Sequence, residues 1–501
     1  MNFLFRAIDT KGKSLTRSQN TIMLLAAALL FLAQALPLLN TRWVEDESWY
    51  AASGGMLAKH GDLRMRIFAE NFVTARVDTR PPLTPILISA CFRILGTTLY
   101  SAKTPFLLAA LAGIFLTYLL GCELRSPLLG LIGAVFLAAD NIYMVAARTV
   151  RPEPIAAAFA VAGILLFLRS LGGRSPGLAF LSGITVGVGL LAHINAFSAA
   201  ISIFILAVLE YGWTLIRRAR PWAFLVGFLL ALVPFFVWVN SDAVHREEFI
   251  NMYSQGEQNP ASAIPRLELS RWSDFIGLPN SRFPLPVHLP YRLHVGLALA
   301  AAVFLLIRFD RPLLKKLACF ILPCVVWYAY ERNPTSRYIA TAAPFLSLLL
   351  AGGLLAAWTY RPQWRRLATA AALLVLLTEV GSNYFVEYVY RKANYTEVTR
   401  QLRALIPPDA PVYAALTFWM SFPDRPFYAW NRTPVQYAVD RGAAYLILND
   451  RVLVNGSGFG LDDWADRRRE MADFVSRHAT LVGRAPNSFY GDLEVYRVNG
   501  R

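Results

Sequence analysis

Long apolar runs recur along most of this chain, and they constrain its fold more than any other feature. Crossing about 30 Å of hydrocarbon takes about 20 apolar residues in a helix, and each run is close to that length. A segment in lipid must satisfy its own backbone hydrogen bonds, which these runs can do as helices. The sequence therefore predicts a polytopic α-helical membrane protein with about 11 spans. The predicted spans are residues 21–40, 104–122, 127–146, 154–170, 177–194, 196–213, 222–239, 291–308, 315–330, 338–358 and 366–385.

The net charge of +16 would suit a nucleic-acid ligand, but the positions of the basic residues indicate a membrane topology instead. With the N-terminus in the cytoplasm, lysines and arginines concentrate in the inner loops, as the positive-inside rule requires. The basic N-terminal segment has no small-residue cleavage site, so we expect a retained first helix. We therefore expect an integral membrane protein of the bacterial inner-membrane type with no nucleic-acid partner. The residues also fit an endoplasmic membrane.

The apolar segment 81–100 tests this topology. If it were a further span, every later basic cluster would move to the outer face. Its prolines and Arg93 suit a helix that lies along the membrane interface, and we predict one there.

Composition changes after residue 385. We predict a transmembrane domain over 1–385 and a small α/β domain over 386–501, which the odd number of spans places outside the cytoplasm. Strand-like runs such as AYLILN alternate with amphipathic helical segments in this second region. The four cysteines lie in or beside apolar segments, so no disulfide framework is predicted.

Three carboxylates, Glu45, Asp46 and Glu47, follow the first predicted span. A solvated loop is one interpretation, because charges at the membrane boundary cost less than charges in the hydrocarbon. The alternative is an amphipathic helix, beginning here and including Trp49 and Tyr50, that holds the acids at headgroup depth.

Several arginines on the predicted outer face are exceptions to the positive-inside rule. Arg148 and Arg151 precede Glu153 in one short outer segment, and Arg337 lies at the outer entrance of a later span. Guanidinium groups bind phosphate oxygens in a bidentate manner, so an anionic ligand is one interpretation. The other is that Glu153 complements a helix dipole while the arginines contact lipid headgroups.

Three more ionisable residues, Asp140, His193 and Glu379, lie in the outer halves of predicted spans. Each alone is more typical of a satisfied polar group between helices than of a catalyst. Together they indicate a polar cavity that opens to the outer face.

Four of these segments carry a family resemblance. Asp46-Glu47-Ser48-Trp49-Tyr50-Ala51 resembles the acidic outer-loop motif of GT-C class integral-membrane glycosyltransferases, in the branch of protein O-mannosyltransferases and lipid A aminoarabinose transferases. Arg80-Pro81-Pro82-Leu83 is similar to a basic-Pro-Pro-Leu element of that branch. Arg148 to Glu153 is similar to its second outer loop, and Ser336-Arg337-Tyr338 to a late Arg-Tyr motif. Glu153 for aspartate and Arg80 for lysine depart from the pattern.

The resemblance implies a sugar donor on a polyprenyl phosphate and a lipid, glycan or protein acceptor among membrane lipids. Asp46 would act as general base, with Glu47 and Glu153 as further catalytic acids. With one base and no evident nucleophile, we expect inversion. No cofactor is required, although the acids could hold a divalent metal ion. Phosphate binding is assigned to Arg80, Arg148, Arg151 and Arg337, and the substrate pocket to Trp49, Tyr50, His193 and Tyr338.

Two other function classes remain open. A flippase or transporter of lipid-linked glycans would need a polar path that reaches both faces of the membrane. A membrane-anchored receptor would bind carbohydrate through the C-terminal region and use the spans only as an anchor. Deletion of 396–501 would separate the receptor from the transferase.

Overall fold

The structure is a computed structural model. It describes residues 16–40, 43, 45–67, 78–172, 175–254, 285–308, 310–330, 336–430, 433–449 and 461–500. Each predicted span overlaps a helix of this structure. The helices up to the last predicted span are α1 (Arg17–Ala35), α2 (Glu45–His60), α3 (Leu83–Leu95), α4 (Leu99–Leu124), α5 (Pro127–Ala139), α6 (Asn141–Ala147), α7 (Glu153–Leu171), α8 (Pro176–Leu190), α9 (Phe197–Tyr211), α10 (Ala219–Asn240), α11 (Ala243–Ser254), α12 (Leu285–Arg308), α13 (Arg311–Tyr330), α14 (Ala343–Tyr360) and α15 (Pro362–Tyr390).

The predicted helical membrane fold is confirmed, but the predicted number of spans is not. Among the described residues, 7 helices are long and apolar enough to cross a membrane, or 8 if α5 and α6 form one bent span. α5 and α6 meet at a bend of 64°. The predicted span 177–194 is helical only over α8, because the chain leaves the helix before His193.

Side-chain caps fix several helix starts. Thr16 forms a capping box with Gln19 at the start of α1. Ser126 and Ser175 cap α5 and α8, each followed by a proline at the first helical position. Asp140 caps α6, which separates that short helix from α5.

Two compact units can be distinguished. The first comprises Met1–Pro37, Phe106–Phe236 and Asn259–Glu387. Its core is built mainly from buried leucine, phenylalanine and alanine side chains of α4, α5, α7 to α10 and α12 to α15. Glycines bring α8 and α10 close together, since a Cβ at Gly183 would lie 2.0 Å from the carbonyl oxygen of Phe224. Small residues at helix crossings are typical of membrane bundles.

The second unit comprises Leu38–Pro105, Val237–Gln258 and Tyr388–Arg501. It contains a 5-stranded sheet in the order β2-β1-β3-β5-β4, in which β1 is parallel to β2 and β3 while β5 is antiparallel to β3 and β4. The predicted small C-terminal α/β domain is thus confirmed as a fold. Its elements are α16 (Tyr395–Leu405), β1 (Val412–Ala414), β2 (Phe427–Ala429), α17 (Val435–Asp440), β3 (Tyr445–Asn449), α18 (Leu461–His478), β4 (Ala479–Asn487) and β5 (Gly491–Val498).

The predicted first outer loop belongs to this second unit. α2 packs against α3 and against the 3-10 helix Leu416–Ser421 of the C-terminal region. The contact is close, because a Cβ at Gly55 would lie 2.4 Å from the ring of Trp419. The predicted domain division at residue 385 stays a prediction.

Candidate functional site

The first group of predicted site residues lies in the second unit and surrounds Arg80. The Arg80 guanidinium donates from Nε to Oδ1 of Asp78 at 2.8 Å and from Nη2 to Oδ2 at 2.9 Å. It also lies over two aromatic rings, 5.0 Å from the centroid of Trp49 and 4.4 Å from that of Tyr50. We call Glu47, Trp49, Tyr50, Asp78 and Arg80 the first-loop cluster.

This geometry refines the predicted role of Arg80. Asp78 is 5% exposed and balances the charge of the guanidinium, while the rings hold its plane. A lysine could not reproduce the paired hydrogen bonds or the stacking. This geometry explains why an arginine suits the position. Arg80 is therefore a fixed, partly exposed cation.

The predicted acids begin α2. The helix starts at Glu45, so the backbone of Asp46 and Glu47 lies in its first turn, where the positive end of the helix dipole stabilises the Glu47 carboxylate. Glu47 is 1% exposed. The side chain of Asp46 lies outside the described residues, and the assignment of the base stays a prediction. The small residues Ala51 and Ala52 that follow are buried.

The second group lies in the first unit, between α6 and α7. Arg148 ends α6, Glu153 begins α7, and the four residues between them are non-helical. Arg148 is 3% exposed, Arg151 8% and Glu153 1%, so this is a buried segment rather than a solvated outer loop. Buried guanidinium and carboxylate groups require charged or polar partners.

His193 and Tyr338 join this second group. The rings of His193 and Tyr338 lie 5.2 Å apart, and His193 interacts electrostatically with both Glu153 and Arg151. Burial has the largest effect on the pKa of His193 and lowers it; Glu153 opposes that shift and Arg151 adds to it. We call Arg148, Arg151, Glu153, His193 and Tyr338 the second-loop cluster.

Four elements bring the second-loop cluster together. The 3-10 helix Ser336–Thr341 packs against α6, α7 and the turn Ile194–Ala196 that follows His193. The segment of the late Arg-Tyr motif therefore packs against the helices that flank the second segment. The backbone of Arg337 lies in this 3-10 helix, and its side chain lies outside the described residues.

Sequence reasoning missed several buried polar residues. Asp78 was not singled out, although its position two residues before Arg80 favours local pairing. Lys103 is 1% exposed, and its ammonium nitrogen lies 5.9 Å from the ring centroid of Trp43. The apolar helical pattern around Lys103 does not indicate that this residue is buried. Asn195 is buried and accepts a hydrogen bond from Nε1 of Trp327 at 3.1 Å.

Each cluster can do part of the predicted chemistry. The second-loop cluster supplies two buried guanidinium groups that can stabilise developing negative charge, and a carboxylate beside an imidazole. The first-loop cluster supplies a helix-start carboxylate and a fixed cation flanked by aromatic rings, which suits recognition of a sugar and a phosphate.

Comparison with known proteins identifies a family signal over part of the chain. The family model described as dolichyl-phosphate-mannose-protein mannosyltransferase matches residues 79–238, less than half of the chain. This segment includes Arg80 and four of the five residues of the second-loop cluster. A search of curated protein sequences returned no significant match.

Solved structures show the fold. The chain is similar to ArnT from Cupriavidus metallidurans bound to undecaprenyl phosphate, with a TM-score of 0.64, 15% identity and coverage of 97% of this chain and 99% of that chain. It is also similar to arabinofuranosyltransferase AftD from Mycobacteria, with a TM-score of 0.58, 13% identity and coverage of 98% and 40%. The archaeal oligosaccharyltransferase AglB from Archaeoglobus fulgidus, with an inhibitory peptide and a dolichol phosphate, gives a TM-score of 0.52, 13% identity and coverage of 86% and 69%.

The predicted resemblance to the GT-C class is thereby confirmed. The family-model match and the solved structures agree on GT-C glycosyltransferases, and the ArnT-like fold extends over almost the whole chain. The fold also agrees with an integral membrane protein.

Proposed function

We propose that this protein is a glycosyltransferase that moves a sugar from a polyprenyl-phosphate donor to an acceptor hydroxyl on the extracytoplasmic face of a membrane. One observation carries the proposal: the segment that matches the mannosyltransferase family model contains buried arginines at a helix junction in an ArnT-like fold. The similar ArnT structure holds undecaprenyl phosphate, and the AglB structure holds a dolichol phosphate.

The donor phosphate is assigned to the arginines. As the sugar leaves, negative charge grows on the phosphate oxygens, and fixed cations stabilise that charge without reorganisation. Arg148 and Arg151 are buried, where such an interaction is stronger than in water. Arg80 and Arg337 are proposed as further phosphate contacts.

Asp46 is proposed as the general base. The acceptor hydroxyl attacks the anomeric carbon, Asp46 takes its proton, and the bond from that carbon to the phosphate oxygen breaks. A positioned base accelerates such a step by about 10²–10⁴-fold. Glu47 is proposed to orient Asp46 or a sugar hydroxyl, Glu153 to serve as the second acid, and Trp49, Tyr50, His193 and Tyr338 to line the substrate pocket.

A single displacement of this kind inverts the anomeric centre. Retention would require a second carboxylate as nucleophile on the opposite face of the sugar. Anomer-resolved NMR of the product from a donor of known configuration tests this; a retained configuration would contradict the single displacement.

The proposed chemistry requires no metal ion, because cationic side chains can balance the phosphate. Transfer should continue when a chelator is added together with the donor. A loss of transfer that added Mg²⁺ restores and Zn²⁺ does not would instead assign a divalent ion to Asp46, Glu47 or Glu153.

The transfer itself is tested with purified full-length protein and labelled polyprenyl-phosphate sugars. Wild type should convert the donor to free polyprenyl phosphate and a glycosylated acceptor, and Asp46→Asn should be slower by about 10²–10⁴-fold. Asp62→Asn is the matched control, since Asp62 lies in the same loop and pairs with Arg66 at the surface. Equal turnover by wild type and Asp46→Asn would remove Asp46 as the base.

The same preparation separates the transferase from a flippase. In liposomes, a flippase would move the labelled donor between leaflets and leave it intact. Donor movement without release of polyprenyl phosphate would contradict the proposed function.

A further inference from the structure

A buried cluster of three potential metal ligands lies in the first unit, outside both loop clusters. Asp140 lies at the bend between α5 and α6, His294 in α12 and Glu379 in α15. One ligand atom from each residue lies within 4.8 Å of the other two. All three side chains are buried, with exposures of 4%, 2% and 1%. His294 is the member that sequence analysis did not single out.

The facing atoms are separated by distances that suit a tetrahedral metal ion better than direct ion pairs. Nδ1 of His294 lies 3.4 Å from Oδ2 of Asp140 and 3.3 Å from Oε1 of Glu379. Charge-assisted hydrogen bonds are normally about 2.7–2.9 Å long. In a tetrahedral zinc site with bonds of about 2.0–2.1 Å, the ligand atoms lie about 3.3–3.4 Å apart.

The other oxygen of each carboxylate is already held by backbone donors. The Tyr143 N–H donates to Oδ1 of Asp140 at 2.7 Å, and the Asn141 N–H donates to Oε2 of Glu379 at 2.9 Å. Oδ2 and Oε1 therefore remain for the cluster. They face the same imidazole nitrogen.

Charge balance also points to a cation. Two ionised carboxylates deep in a membrane domain need compensation. Among the described residues, neither Asp140 nor Glu379 pairs with a lysine or arginine. Nε2 of His294 is buried with no hydrogen-bond partner among these residues, so a doubly protonated ring would leave a charged N–H unsatisfied. A neutral imidazole with a divalent ion gives a neutral cluster.

A hydrogen-bond network links the residues that surround this cluster. The Asn141 side chain donates to Ser382 and Asn383, at 2.9 and 3.0 Å. Asn383 in turn donates to Oε1 of Gln34 in α1 at 2.9 Å and to the carbonyl of Ala139 at 2.8 Å. The bond to the Ala139 carbonyl satisfies backbone at the 64° bend, and the network ties α15 to the residues on either side of Asp140.

We propose that Asp140, His294 and Glu379 bind one divalent cation, with zinc favoured by the mixed nitrogen and oxygen ligands and by the tetrahedral spacing. Mg²⁺ is disfavoured, because it prefers oxygen ligands in an octahedron with ligand spacings of about 2.9–3.0 Å. The ion fastens the bend between α5 and α6 to α12 and α15. The site does not depend on the proposed transferase reaction.

The metal content of the purified full-length protein tests the proposal. Mass spectrometry of wild type should find about one zinc ion per chain. His294→Ala and Glu379→Gln should each hold at least about tenfold less, whereas the control His245→Ala should equal wild type. His245 lies in the second unit, where its ring packs against that of Trp238.

A second measurement remains informative if those variants fold poorly. Metal-stripped wild type should take up Co²⁺ with the visible absorption of a tetrahedral complex, and His294→Cys should retain binding with an added thiolate-to-cobalt charge-transfer band. Asp46→Asn should keep the metal, which separates this site from the transferase chemistry. Wild type that contains no metal and binds neither Zn²⁺ nor Co²⁺ after stripping would overturn the proposal, as would unchanged zinc in His294→Ala.

Discussion

The two sets of arginines that the sequence assigned to phosphate binding differ in environment. Arg80 is partly exposed, and within its own cluster Asp78 and two aromatic rings hold it. Arg148 and Arg151 are buried at the junction of α6 and α7, beside Glu153 and His193. Arginine is thus a partly exposed, paired cation in one unit and a buried cation in the other.

This difference predicts different mutational effects. A buried guanidinium acts in a low dielectric, where each interaction with a phosphate is worth more. A partly exposed and already paired guanidinium contributes less, because solvent screens its charge. We therefore expect the arginines of the second-loop cluster to dominate catalysis and Arg80 to contribute mainly to orientation.

The largest effect is expected for Arg151→Gln. Removing one fixed donor from a developing oxyanion typically costs about 10²–10³-fold in rate. Transfer from a labelled polyprenyl-phosphate sugar measures this loss. Arg169→Gln is the control, because Arg169 pairs with Glu123 at a partly exposed position. Equal losses in Arg151→Gln and Arg169→Gln would contradict the expectation that buried arginines of the second-loop cluster dominate catalysis.

The next effect concerns how the first loop is held. Gly55→Ala places a Cβ 2.4 Å from Trp419, and overpacking of this kind typically costs about 1–3 kcal/mol. Thermal unfolding in detergent should show a lower midpoint. Gly381→Ala in α15 is the matched control, because, among the described residues beyond its own helix backbone, no heavy atom lies within 4 Å of its added Cβ, and alanine favours a helix. An unchanged midpoint for Gly55→Ala would show that α2 does not depend on this packing.

A smaller effect is expected for Arg80→Lys. Lysine loses the paired bonds to Asp78 and the stacking on Trp49 and Tyr50, and we expect transfer to fall about tenfold. Arg66→Lys is a close control, since Arg66 also donates two hydrogen bonds to a carboxylate, that of Asp62, at 2.8 Å each. If both variants lose equally, the environment of Arg80 has no special role.

The smallest effect is expected for the ion pair of Lys59 with Asp424, whose nitrogen and oxygen lie 2.9 Å apart. Exposed pairs are typically worth about 0.2–1 kcal/mol, so Lys59→Met should lower the unfolding midpoint only slightly. A double-mutant cycle with Asp424→Asn measures the coupling. A coupling well above this range would mean that charge, and not packing at Gly55, holds the first loop.

Much of the fold was predictable because its signals are local. Apolar runs gave the positions of the helices, and serine or proline at helix starts fixed several ends. In the C-terminal region the runs VYA, YLILN and LEVYRV became β1, β3 and β5. The number of spans was not predictable in the same way, because bends such as that at Asp140 depend on capping and tertiary contacts.

The candidate site was predictable in composition and only partly in arrangement. The motifs identified Arg80, Arg148, Arg151 and Glu153, but not the pairing of Arg80 with Asp78 or the burial of the second segment. His294 escaped notice because one histidine in an apolar helix carries no periodic signal. Its significance depends on two carboxylates that are distant in sequence.

The sequence by itself determined that this chain forms membrane helices followed by a small α/β region, because hydrophobic length and alternation are properties of contiguous residues. Tertiary structure alone decided which charges meet. Asp78 holds Arg80, His193 faces Glu153 and Arg151, and Asp140 meets His294 and Glu379, since these contacts require helices to pack and bend in particular ways. Electrostatic partners across such distances in sequence leave no local pattern.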